Sequence, residues 1–462
     1  MKKVFIFLAL PLLFMAESCS KFVEGYGESP NNPSTSTAPL LLSATELGLF
    51  STYTGTLSRA SAILTQQCGG TYSQMLEIDQ YYLIASSNTN DWNNLYNNVI
   101  QPATDLIVNF GHKDTLHTGV ARIMKAMALG IATDIWGDVP AREAGYGNIN
   151  GNLTPKFNAQ EDVIVYVQEL LDSAIATLGS TDGENLHDLA SNDIIFGGDV
   201  DKWINTAYIL KARYANRLSK KDAAASATAA LEYLSHVTDA GDAYAVYGTK
   251  TSEINQWYAF NVARGGYLKV GDYMVKLLQA NNDPRLPFYA AKDEEGNYVG
   301  AEPSSENTDA SDVGNYMAGI ASPIPMATYT EALFIAAEAN LRLGKTAEAA
   351  TAYNAAVIRG VTKVIGAAPD AAFVAAYASA TAATITLEQI MTQKYLYTFG
   401  QIEAWSDWRR TGLPVIPPNE NNVTDKIAIP RRFPTVQDEV LYNKEHVVNV
   451  TDIFEPVWWD KN

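Results

Sequence analysis

Two stretches of this chain combine flat aromatic rings with planar hydrogen-bonding groups, a mixture suited to sugar recognition. A pyranose ring has an apolar C–H face and a rim of hydroxyls. A site for it needs aromatic faces plus amide, carboxylate or guanidinium partners. One stretch holds Tyr72, Gln74, Tyr81 and Tyr82; the other holds Gln256, Trp257, Tyr258, Asn261 and Arg264. Tyr298 and Tyr316 are candidates for the same surface. The competing reading is that such rings pack onto the scaffold that carries them. Trp92 and Tyr96, four apart on a helical stretch leading to Ile100, are read that way, as core.

Catalytic chemistry finds less support. The five histidines (residues 112, 117, 187, 236 and 446) contain no pair at the spacing of a helical zinc site. No nucleophile elbow or phosphate loop is present. A glycosidase needs only two carboxylates across a cleft, and Asp79, Asp91, Asp134 and Asp138 are the acids to offer. Asp134 and Asp138, however, sit in a helix-ending turn where capping is the ordinary role. The segment from Asp293 to Asp312 is acidic and reads as an exposed loop. It lacks the ligand spacing of a known calcium loop, so no cofactor is expected and a structural calcium ion stays open.

Charge narrows the partners. The 462 residues carry 33 basic against 51 acidic side chains, a net −18. That field repels phosphate backbones and argues against nucleic acid. Apolar residues make up 47%, ample for a core, and the 25 tyrosines outnumber the 15 phenylalanines.

The elements that must position these residues are helical. Val120, Ile123, Met124, Met127, Ile131 and Ile135 form one apolar stripe, which Gly137 and Pro140 end. The next helix is expected to open on Asn158 with Glu161 as reciprocal cap, and to close on a left-handed Gly179. A second pair runs from Trp203 to Val237, and a third from Glu331 to Ile358 with its turn at Gly344-Lys345. A last helix begins at Thr386, with Gln389 completing a capping box. The second and third pairs align without gaps at an offset of 125 residues, and the third resembles a tetratricopeptide pair. The expected fold is mostly α, a tetratricopeptide-like helix-pair scaffold. Long insertions lie near 68–98, 241–328 and 366–383, the last Ala-rich and low in information. Binding residues tend to sit on such insertions.

The N-terminus reads as an address. Met1-Lys2-Lys3 precedes an apolar run from Val4 to Ala16, too short to span a bilayer. Ala16-Glu17-Ser18-Cys19 then resembles a bacterial lipobox, with Glu17 a departure from the usual small residue. The resemblance implies a signal peptide over 1–18 and lipidation of Cys19. Residues 19–40 would form an extended anchoring arm, and 41–462 a single domain. Cys68 then has no disulfide partner. Loss of Lys2, Lys3 and Glu17 leaves 31 bases against 50 acids, a net −19.

Several stretches together resemble the SusD/RagB family of Bacteroidetes outer-membrane nutrient-binding lipoproteins, in the SusD-like, starch-binding branch. They are Pro30-Asn31-Asn32-Pro33, Thr133 to Pro140, Asn282 to Tyr289, Gly296 to Gly300, Thr328 to Ala339, and Glu403 to Gly412. The resemblance runs from residue 19 to about 435 and rests on the order of these stretches. It implies a non-catalytic lipoprotein on the outer face of the outer membrane. Such a protein captures an oligosaccharide or peptide and caps a SusC-like TonB-dependent transporter. It also implies structural roles for Trp136, Trp405 and Trp408, while Arg409 and Arg410 are expected to pair with acids. Ligand residues do not carry over, because the family's specificity loops vary. The alternatives are a peptide-binding lipoprotein of the same system, or a secreted glycoside hydrolase on a helical scaffold.

Overall fold

A computed structural model describes residues 36–461. The signal peptide, Cys19 and most of the arm lie outside the described residues. The principal helices are α1 (Ala38–Thr54), α2 (Thr56–Leu64), α3 (Thr115–Trp136), α4 (Gln160–Leu178), α5 (Val200–Arg217), α6 (Ala223–Leu234) and α7 (Gln256–Ala263). They continue with α8 (Asp272–Ala280), α9 (Tyr329–Arg342), α10 (Thr346–Ile365), α11 (Ala371–Tyr377), α12 (Leu387–Tyr397) and α13 (Glu403–Thr411). The arm was expected to stay extended to Pro39, but Ala38 and Pro39 already form the first turn of α1, where proline's fixed φ suits a helix start.

The fold is mostly α. The expected pairs α3/α4, α5/α6 and α9/α10 each pack along their length. They stack in sequence, α4 on α5 and α6 on α9, with α12 against α9. Gly344 turns the third pair with φ +73°, a conformation open to glycine. The Thr386–Gln389 capping box is present as read. The cap expected at Asn158 is not. The Asn158 carboxamide oxygen instead accepts from the backbone of Ala141 and Arg142, and α4 opens two residues later. Its first N–H, at Gln160, is taken by Asp138 from the preceding turn. Gly179 caps α4 at φ −81°, in ordinary right-handed geometry.

Strands are short and occur as two-stranded ribbons. β1 (Cys68–Gly70) pairs antiparallel with β5 (Leu268–Val270), β2 (Val139–Pro140) with β3 (Phe157–Asn158), and β4 (Ala243–Ala245) with β6 (Ile324–Ala327). β1 and β5 come from different insertions, so this ribbon joins them.

A buried ionic network runs through the stack. Arg213 and Arg217 of α5 meet Glu331 of α9 at 2.6 Å, Glu403 of α13 at 2.5 Å and Asp134 of α3 at 3.0 Å. Arg410 of α13 pairs with Glu338 of α9 and with Asp407. Arg342 also holds Glu338 at 2.5 Å, and Lys394 of α12 holds Asp407 at 2.6 Å. Burial opposes ionisation of Glu338, yet Arg410 and Arg342 outweigh it and hold its carboxyl below the ordinary range. Burial likewise works against Asp407, and Lys394 with Arg410 pulls it below its usual value.

Arg410 thus has the expected acid partners, whereas Arg409 has no carboxylate partner among the described residues. It donates to the carbonyls of Asp134 and Arg431 and lies 4.0 Å from the Trp405 ring centre. Trp92 and Tyr96 stack at 4.4 Å, with Trp136 edge-on to Trp92 at 5.0 Å, all within the core as expected.

Removing one member of such a network leaves its partners charged and buried. Glu338→Ala is expected to lower stability by about 3–5 kcal/mol, read as a lower urea midpoint at unchanged slope. A loss under about 1 kcal/mol, the range of exposed pairs, would contradict that role.

Candidate ligand-binding surface

The β1/β5 ribbon brings the two aromatic insertions together. Gly70 has no room for a side chain, because a Cβ there would lie 1.9 Å from the Met75 carbonyl oxygen. Beyond the ribbon, the Thr71 amide donates to the Tyr267 carbonyl (3.0 Å) and its hydroxyl to that of Gly266 (2.6 Å). These bonds set Tyr72 edge-on to Tyr267, with ring centres 5.0 Å apart. Phe260 of α7 packs against Tyr267 at 6.3 Å. The Arg264 guanidinium lies 5.6 Å from the Tyr267 ring, and that of Arg59 lies 4.3 Å from Phe260. Tyr72 is 55% exposed, so the cluster opens to solvent. It offers ring faces beside a guanidinium.

The sequence candidates separate into distinct places. Tyr72 and Arg264 meet in this patch. Gln74, half-buried, follows Tyr72 on the next short helix, and Asn261 and Tyr258, both half-buried, lie on α7. Trp257 is fully buried, with its indole N–H donating to Ser58, and is core. Tyr81 is also buried, and its hydroxyl accepts from the Asn419 amide. Tyr82 is exposed but borders a separate cleft with Val423 and Phe454. Gln256 donates to Ser51, away from the patch rings. Tyr298 lies beneath Lys292, and Tyr316 packs against Tyr289 at 5.3 Å. Tyr267 and Phe260 were not among the candidates. The Gly265-Gly266 turn before an alternating strand was the available signal for Tyr267.

At the other end of the ribbon lies a groove of about 540 Å³, bordered by Asp272, Tyr273 and Lys276 of α8, the Glu302–Pro303 loop and residues 417–421. Buried Asp79 joins these segments. Its carboxylate accepts from the Ser304 amide at 2.5 Å and the Gly70 amide at 3.4 Å, and its carbonyl accepts from the Asn419 side chain at 2.7 Å. Gln66, Ser73, Tyr81, Ser304 and Glu306 around this junction all have φ between 49° and 62°. Each costs about 1–3 kcal/mol and persists only where surrounding contacts dictate it. The acidic segment is therefore pinned at Ser304 rather than wholly loose. Among the described residues, no group of three or more metal-ligating side chains occurs.

The four acids offered for hydrolysis do not form a pair across a cleft. Asp79 anchors loops, Asp91 lies beside buried Arg59, Asp134 belongs to the ionic network and Asp138 caps α4.

A family profile described as "Starch-binding associating with outer membrane", SusD-like, matches residues 30–434. The chain belongs to the SusD-like family. No curated protein sequence matches it. Among solved structures, a SusD/RagB family protein from Bacteroides thetaiotaomicron VPI-5482 is similar at 23% identity and TM-score 0.77, over 92% of this chain and 99% of that one. A chitin-binding SusD homologue from Flavobacterium johnsoniae is similar at 21% identity and TM-score 0.78, over 91% and 99%. A chitin-binding protein is similar at 24% identity and TM-score 0.77, over 92% and 100%. At these identities the likeness establishes the fold. The SusD-like family associates with the outer membrane, and no helix among the described residues is long and apolar enough to cross a bilayer.

Among the buried acids, which include Asp91 and Asp134, Asp79 and Glu46 are raised furthest. Burial pushes Asp79 up to about 7, against the lowering effect of the Ser304 and Gly70 amides. Burial pushes Glu46 of α1 up to about 9, against the Ile194 amide. Both keep a proton in the folded chain where the unfolded chain has lost it. Their contribution to stability is therefore full below the unfolded value, about 4, and is lost as pH rises through the folded values. The urea midpoint is expected to be lower at pH 8 than at pH 5. Asp79→Asn should flatten the decline up to about pH 7, and Glu46→Gln the decline that continues above it. A midpoint that climbs between pH 5 and 8 would reverse the sign argued here.

Proposed function

We propose that this chain is a cell-surface glycan-binding lipoprotein. It captures an oligosaccharide at the Tyr72–Tyr267–Phe260–Arg264 patch and delivers it to a SusC-like TonB-dependent transporter. The observation that carries the reading is the patch itself: rings from two insertions, set edge-on beside a guanidinium, on a SusD-like scaffold. The rings stack on sugar C–H faces, and Arg264 donates to hydroxyl oxygens. Gln74 and Asn261 supply further planar amides on the flanking helices. The starch-binding description of the family and the chitin-binding relatives support a neutral glycan as ligand. The acids offered for hydrolysis have structural roles, which supports binding without turnover. The lipobox-like Cys19 anchors the chain to the outer leaflet, facing the exterior.

Calorimetry with chitotetraose, maltoheptaose and a peptide panel tests the ligand class. The expected result is glycan binding without release of reducing ends, weakened about two- to twelve-fold in Tyr267→Ala, since one ring contact contributes about 0.5–1.5 kcal/mol. Binding by peptides alone would replace the glycan with a peptide ligand. Retention of Cys19→Ala in the membrane fraction would remove the lipid anchor from the reading.

A further inference from the structure

The Ala-rich insertion near 366–383 covers something specific. Its helix α11 roofs a cavity of about 400 Å³ whose other walls are α8, α10, α12 and the Pro414–Val415 segment. That volume lies in the range of about 300–1,000 Å³ usual for small-molecule sites. Tyr72, Tyr267, Phe260 and Arg264 do not border it. We propose that this cavity is a second saccharide site, taking one neutral pyranose unit.

Its polar groups are oriented from behind. Asp283 fixes the buried Arg285 guanidinium through bonds of 2.9 and 2.6 Å. Arg285 in turn donates to Oε1 of Gln393 at 2.8 Å. Gln393 is only 2% exposed, and with its oxygen committed its Nε2 is left to the cavity, without a protein acceptor among the described residues. Tyr353 is 3% exposed, and its hydroxyl likewise borders the cavity without a partner among the described residues. The Asn281 oxygen accepts from the Tyr377 hydroxyl at 3.2 Å, which leaves Nδ2 as a donor. These unpartnered groups open onto the cavity, where a ligand or water can bond to them.

The remaining walls suit a sugar. Tyr273 is braced edge-on by Tyr395 at 6.0 Å, and Tyr377 packs at a tilt against Phe373 at 5.1 Å, so two supported rings border the space. Glu388 supplies an acceptor at the rim. Donors, an acceptor and ring faces together match equatorial hydroxyls around a C–H face. Arg285 is neutralised by Asp283 and Glu388 is acidic, so sulfated sugars and uronates are disfavoured.

The choice of ligand class rests on the glycan reading above; the cavity itself does not. The test is calorimetry and saturation-transfer NMR on the purified full chain, with chitotetraose, maltoheptaose, N-acetylglucosamine and glucose 6-sulfate. Ala376 is exposed on α11, so Ala376→Trp fills the cavity from its roof without disturbing the core. Tyr353→Phe with Glu388→Met removes a hydroxyl and a carboxylate and little volume, and Glu388 is exposed on α12. The expected result is two sites per chain for a neutral oligosaccharide and none for the sulfated sugar. One site should weaken at least ten-fold in Ala376→Trp and in the double variant, the other about two- to twelve-fold and only in Tyr267→Ala. One site per chain, weakened in Tyr267→Ala and untouched by Ala376→Trp, would overturn the second site and leave the patch standing. One site lost only in Ala376→Trp would uphold the cavity and overturn the patch. No binding by any neutral sugar would overturn both.

Discussion

Charge buried between helices is the constraint on which this fold depends. Asp134, Glu331, Glu338, Glu403 and Asp407 face Arg213, Arg217, Arg342, Lys394 and Arg410, five acids against five bases. Taking these groups out of water costs several kcal/mol each, and only close, multiply bonded geometry offsets that. The geometry needs α3, α5, α9, α12 and α13 in one relative placement. A helix rotated by one residue would strand a charge in the core, where apolar packing alone would tolerate some slippage. At the repeat offset of 125 residues, Arg213 and Arg217 correspond to Glu338 and Arg342. All four positions turn inward and join the network, so the repeat itself supplies the register of charges. The C-terminal stretch from Glu403 to Gly412 closes it by contributing two acids and Arg410.

That rigidity permits irregularity elsewhere. The insertions leave the stack, and each shares an apolar core with it rather than building one of its own, through residues such as Met75, Trp257, Met317 and Phe373. The β1/β5 ribbon ties the first insertion to the second, and Asp79 ties both to residues around 419. Non-glycine residues at positive φ gather at this tie. The strain is tolerable because the stack and the carboxylate hold the chain ends. Rings that would otherwise collapse inward are thereby kept at the surface, as at Tyr72, or kept at the lip of a cavity, as at Tyr273.

The helix pairs were legible because the 3.6-residue period repeats over whole helices, and because the Thr386–Gln389 box is a local device. The cap of α4 was not legible, since Asp138 reaches it from a preceding turn, across a distance in sequence that no cap motif encodes. Arg409 shows the same limit: its partners are carbonyls and rings brought in from α3 and residue 431. In the insertions the problem was burial. Tyr72 and Tyr81 look alike in sequence, yet one is 55% exposed and the other is sealed by Asn419. No period tells them apart, because this part of the chain has no long element to impose one. Tyr267 escaped notice because its role comes from pairing with a strand about 200 residues away. The 366–383 segment looked empty because its alanines form a roof, and the chemistry beneath it belongs to other helices.

The charge distribution links the scaffold to what it can carry. The network is neutral as a unit, so the whole −18 resides outside it. An outward negative field disfavours sulfated chains and uronates as well as nucleic acid. Neutral glycans are indifferent to that field and must be held by ring faces and oriented amides, which are weak individually. Under the proposed function weakness has a use, because a tightly held sugar would leave slowly. Two weak contacts along one oligosaccharide can raise retention through effective concentration while each still releases quickly. On that reading, several ring contacts along one oligosaccharide at the patch would hold a longer chain better than a short one.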